Sequence, residues 1–132
     1  NQNNNKDKTV KKTLFLAAVP LLVVAFYKAP EVTAQSCATM EIPPVCQNGN
    51  RITINNDSKN VSPPNLCVGP GETITVNVVP NGTSARIGPK SGDWPVGSGT
   101  SFPLTAPDSG THDYNVYFED GSCLDPRIRV RR

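Results

Sequence analysis

Four cysteines (Cys37, Cys46, Cys67 and Cys123), one histidine (His112) and one methionine (Met40) are the residues of this chain best suited to redox or metal chemistry. No two cysteines stand as C-x-x-C, and a single imidazole cannot complete the usual Cys/His zinc set, so zinc-ribbon and thioredoxin-like chemistry have no frame. An even number of cysteines in a small exported domain reads instead as two disulfides, with three pairings open. His112 stands beside Asp113, but neighbours on a strand point to opposite faces, so they form no acid–base dyad and His112 is expected to be a solvated strand-end residue. Asp120 and Asp125 flank the last turn, yet a calcium loop needs more oxygen ligands in tighter register. No Ser-His-Asp, Cys-His or paired-carboxylate arrangement and no Gly-rich phosphate loop can be assembled. The expectation is a protein that is not an enzyme and carries no cofactor.

The elements that position these residues read as short strands. In residues 110–131, Tyr114, Val116 and Phe118 alternate with polar neighbours. After the turn Glu119-Asp120-Gly121-Ser122, Ile128 and Val130 alternate with Arg127, Arg129 and Arg131. Period two means one buried face. Ile74, Val76 and Val78 give residues 72–79 the same pattern, and Ile52 and Ile54 mark a strand over 51–55. Shorter candidates lie at 66–68, 85–87 and 101–104, whereas 55–64 reads as a polar loop. Seven short strands without an amphipathic helix predict an all-β, antiparallel Greek-key sandwich, with an immunoglobulin-like arrangement as the second architecture.

Residues 1–34 differ in character. A basic stretch with Lys6, Lys8, Lys11 and Lys12 precedes the apolar run 14–27, and Val32-Thr33-Ala34 suits a signal peptidase cleaving before Gln35. This is the layout of a bacterial-type secretory signal peptide forming a hydrophobic helix; the run falls short of the roughly 20 residues that span a bilayer. The expected organisation is a signal peptide at 1–34, an N-terminal arm at 35–50 and the β-sandwich at 51–132. The location is periplasmic or secreted, with no membrane attachment after cleavage. The leader holds five of the 13 basic and two of the 11 acidic side chains, leaving eight and nine, a formal net charge of −1. Such a domain has no long-range field for nucleic acid or an anionic membrane. Alternate arginines on a final strand read as protection of a sheet edge.

One surface has binding character. Residues 84–100 form a long Gly-rich loop with Arg86, Lys90, Asp93 and the only tryptophan, Trp94. Long ordered loops often hold binding residues, so a protein partner is expected here; the rival reading folds Trp94 back to cap the sandwich.

The order of signals resembles the cupredoxin-like sandwich over residues 51–130. Val68-Gly69-Pro70-Gly71-Glu72-Thr73-Ile74 resembles the family's Pro-Gly-Glu/Asp-Thr-Val turn. Phe102, Ala106-Pro107 and Gly110 resemble its approach to the penultimate strand, and Tyr114-x-Val116 stands where the family writes Tyr-x-Cys. The resemblance implies a copper-free member. A blue-copper site needs a thiolate, two imidazoles and a weak axial ligand, but Val116 holds the thiolate position and no histidine follows the 72–79 strand or lies in 119–122. The layout also implies the pairs Cys46–Cys67 and Cys37–Cys123, because it places Cys67 and Cys123 at opposite ends. The functional expectation is an exported, disulfide-stapled, non-catalytic binding or structural module. The alternative is a periplasmic copper-handling protein with a non-standard site around Met40, His112 and a reduced cysteine.

Overall fold

The computed structural model describes residues 36–132; the expected signal helix and cleavage site lie outside them. Eleven strands form: β1 (Gln47–Asn48), β2 (Arg51–Asn55), β3 (Asn60–Ser62), β4 (Asn65–Val68), β5 (Thr73–Val79), β6 (Ala85–Pro89), β7 (Gly97–Gly99), β8 (Ser101–Thr105), β9 (Gly110–Tyr117), β10 (Cys123–Leu124) and β11 (Arg127–Val130). The larger sheet runs β1-β4-β11-β9-β6-β7, with β10 also on β9, and the smaller runs β3-β2-β5-β8. No helix among the described residues is long and apolar enough to cross a membrane.

The period-two strands bury the faces that their sequences mark. Ile52, Ile54, Ile74, Val76 and Val78, with Phe102 and Leu104, line the inner face of the smaller sheet. Leu66, Val68, Ile87, Tyr114, Val116, Ile128 and Val130 line that of the larger one. Each buried aliphatic side chain contributes about 1.5–3 kcal/mol, so the two faces supply the main driving force.

The sheets are mixed rather than antiparallel, which corrects the sequence expectation: β1 with β4, β4 with β11 and β2 with β5 are parallel pairs. The reason is connectivity. The chain leaves β2 in the smaller sheet, passes through β4 in the larger and returns as β5, so β5 arrives beside β2 in the same direction. A second correction concerns the last strand. β11 lies between β4 and β9, with hydrogen-bonded partners on both sides, so its arginines guard no edge.

Strands also occur where loops were expected. Residues 55–64 contain β3, which pairs with β2 through Val61, itself almost fully buried. The arm likewise joins the sheet: β1 pairs with β4, Ala38 bridges to Leu124, and the Met40 N–H donates to Asp125 Oδ1 at 2.7 Å. Two disulfides fix it, Cys46–Cys67 (Cα–Cα 5.3 Å) and Cys37–Cys123 (Cα–Cα 4.7 Å). These are the pairs implied by the cupredoxin-like layout.

Tyr114 is fully buried, and its hydroxyl has no hydrogen-bond partner. Burial pushes its phenol well above the ordinary tyrosine range. An unsatisfied buried hydroxyl is costly, so Tyr114→Phe is expected to raise the unfolding free energy by about 1 kcal/mol. Urea denaturation checks this; a destabilised Phe variant would show that the hydroxyl has a partner.

Candidate functional site

At one end of the sandwich β2, β5, β6 and β9 bring a set of polar residues together. Asn56 follows directly on β2, and its N–H donates to Val79 O at the end of β5 (2.8 Å). Its side chain, only 5% exposed, spans the two sheets: Nδ2 donates to Ser84 O (3.0 Å) and Oδ1 accepts from the Glu119 N–H (3.1 Å). The Ser84 N–H and hydroxyl in turn donate to Glu119 Oε2, at 2.9 and 3.3 Å. Lys59 donates to the Asn56 carbonyl and lies 3.7 Å from Asp120. Asp120 accepts from the Ser122 hydroxyl and N–H, and those bonds hold its carboxyl below the usual range. Gly121 permits this turn, with φ at +89°. The cluster closes on itself and works as a cross-link between the sheets.

Beside it lies an open groove of about 480 Å³, lined by Ser84, Arg86, Ser98, Gly99, Tyr117 and Glu119. The Arg86 guanidinium sits 3.9 Å from the centroid of the Tyr117 ring, and Asn115 Nδ2 donates to the Tyr117 hydroxyl at 3.3 Å. Arginine over an aromatic face combines cation–π attraction with stacking and leaves guanidinium N–H groups free to meet a ligand. Chemically the groove can bind; its Ser84 hydroxyl has a carboxylate beside it in Glu119, and no imidazole stands among its lining residues.

The four residues of the expected binding loop do not share one surface. Arg86 lines the groove. Lys90 is held by Asp125, Nζ to Oδ2 at 2.9 Å, and its N–H donates to Asp113 O. Asp93 is exposed. Trp94 packs partly buried against the core and meets His112 edge-on, with ring centroids 5.0 Å apart. The loop is also shorter than expected, because β6 and β7 take up both its ends. His112 is half-buried beneath Trp94 instead of solvated, and its Nε2 donates to Ser109 O at 3.0 Å. Asp113 faces away, in a two-point pair with Arg127 (Nε–Oδ1 2.6 Å, Nη2–Oδ2 3.2 Å). Of the groove and its neighbouring cluster, Ser84 is expected from the sequence only as the first residue of the 84–100 loop, and Tyr117, Glu119 and Asn56 are given no binding role there. Tyr117 carried a signal, as an aromatic on the polar side of an alternating strand; the others carried none.

For metal chemistry, no group of three or more His, Cys, Asp or Glu side chains converges among the described residues, and the four cysteines are all in disulfides. Met40 packs against the core, with its N–H on Asp125. Val116 is fully buried in the apolar core, so the position that the cupredoxin resemblance assigns to the thiolate serves packing.

No protein-family model and no curated protein matches the chain. Among solved structures it is similar to a purple cupredoxin from Nitrosopumilus maritimus (17% identity over 63% of this chain and 100% of that one, TM-score 0.44). It is also similar to the reduced Cu(I) form of an amicyanin mutant (18%, 63% and 84%, TM-score 0.45) and to a chain of a heme-copper terminal oxidase dimer (15%, 93% and 95%, TM-score 0.41).

Proposed function

We propose that this chain is an exported, non-catalytic binding module whose working surface is the groove at the Arg86–Tyr117 end of the sandwich. The observation that carries the reading is the Arg86 guanidinium stacked on Tyr117 at the wall of an open groove. Arginine and tyrosine are the residue types most often found as interface anchors. Two disulfides support an oxidising compartment outside the cytosol. His112, the chain's one imidazole, sits under Trp94 and five residues along β9 from Tyr117, which supports a role in packing over acid–base work.

The test is affinity capture from periplasmic or culture fluid with the immobilised full chain and its Arg86→Ser and Tyr117→Ala variants. Capture of the specific partner is expected to fall about tenfold or more in each variant, the effect of removing one interface anchor. An unchanged set of captured proteins would remove the groove from consideration.

A further inference from the structure

The position of β11 leaves its arginines without the explanation that a terminal strand would give them. Its backbone is paired on both sides, to β4 and to β9, so no edge exists for them to guard. Ile128 and Val130 point into the core, so Arg127 and Arg129 lie on the outward face in the middle of the larger sheet, and Arg131 follows β11 directly, its N–H donating to Val68 O at 2.8 Å and carrying the row on. Alternate residues on a strand recur at about 6.6–6.8 Å, so the row has a fixed spacing.

The charges around this row do not balance locally. Arg127 is taken by Asp113 and Lys90 by Asp125. Arg129 pairs in register with Cys67 and Thr111, neither of which carries a charge. Its Nε is shielded from solvent with no acceptor, and buried donors are rarely left so. Arg131 lines a concavity of about 510 Å³ at the far end of the sandwich from the Tyr117 groove, where Glu72 also stands without forming an ion pair to it. Neither Arg129 nor Arg131 has an ion pair among the described residues. The field of the row reaches its neighbours: Asp113 is held below the usual carboxylate range chiefly by its bond to Arg127, with Lys90 and Arg129 adding to it. This positive strip belongs to a domain of formal net charge −1 over residues 35–132, so it reflects placement and not composition.

We propose that the row Arg127–Arg129–Arg131 is a docking surface for an extended acidic segment of a partner polypeptide, whose carboxylates pair with Arg129 and Arg131. The choice of occupant follows from charge and spacing. An extended peptide presents alternate side chains at the same interval as the row, so Asp or Glu at every second position meets successive arginines. The Asp113–Arg127 pair is an internal copy of that contact, since a planar guanidinium takes a carboxylate at two points. This surface is separate from the Arg86–Tyr117 groove, and the inference does not depend on that reading.

The test is fluorescence anisotropy of the full chain with a labelled peptide of alternating Glu and Thr, against its Gln–Thr counterpart. The Glu peptide is expected to bind, to weaken as salt rises, and to lose about tenfold or more in affinity with Arg129→Gln. Arg51→Gln, on the smaller sheet, is expected to leave binding unchanged, and circular dichroism melts of both variants verify that they fold. Equal binding of the Glu and Gln peptides, or an Arg129→Gln variant that binds as the wild type does, overturns the proposal. So does Arg129-dependent binding of a sulfated polysaccharide in place of the peptide, because the occupant would then be a different polymer.

Discussion

Replacing Cys37 and Cys123 together by serine is expected to lower the unfolding free energy by about 4 kcal/mol, against about 3 kcal/mol for the same change at Cys46 and Cys67. The difference comes from loop length: the first bridge closes a sequence separation of 86 and the second one of 21. A longer closed loop removes more conformational freedom from the unfolded chain. The first bridge also anchors the arm beside β10, where Ala38 pairs with Leu124 and the Met40 N–H reaches Asp125, so its loss frees those contacts too. Since small domains have only about 5–15 kcal/mol in all, the first double variant should approach global instability. Urea titration of both variants, with midpoints and slopes compared, checks the ranking. A Cys46/Cys67 variant that loses more would mean that the unfolded chain is not what the longer bridge constrains.

Asn56→Ala is expected to cost about 2–4 kcal/mol, a large effect for one residue outside the apolar core. The alanine removes two hydrogen bonds and leaves the Ser84 carbonyl and the Glu119 N–H without the amide that joined them. Those partners belong to segments that enter β6 and leave β9, so the loss loosens the end of the sandwich beside the groove. In thermal denaturation the midpoint should fall by roughly 10 °C or more. Asn81→Ala, an exposed change in the turn after β5, is the control. An Asn56→Ala midpoint no lower than that of Asn81→Ala would show that the amide is dispensable.

The strands legible in the sequence are those with at least two alternating apolar residues. Ile52 and Ile54 mark β2, the run from Ile74 to Val78 marks β5, and Tyr114 with Val116 marks β9. In β3 there is one apolar residue, Val61, and no period can be read from one residue. The two-residue strands β1 and β10 carry no alternation at all. Strand direction was equally hidden, because alternation specifies a buried face and not whether a neighbour runs parallel; the same is true of the interior place of β11. The site was harder to read than the fold. Within Asn55-Asn56-Asp57-Ser58, Asn56 looks like any turn residue, and only the approach of Ser84 and Glu119 from elsewhere in the chain gives it a task. Trp94 drew notice for its rarity, although its ring is spent on His112 and the core.

The Cys37–Cys123 bond sets how this domain responds to tension. Stretched between residues 36 and 132, the oxidised protein transmits load through the sulfurs and bypasses the strands between them. Only the nine residues after Cys123 can then pay out, a segment that spans at most about 30 Å when fully stretched. Breaking this bond alone would expose the sandwich outside the Cys46–Cys67 loop to the same pull, making a single covalent bond the difference between a short tether and a domain that unravels over most of its length.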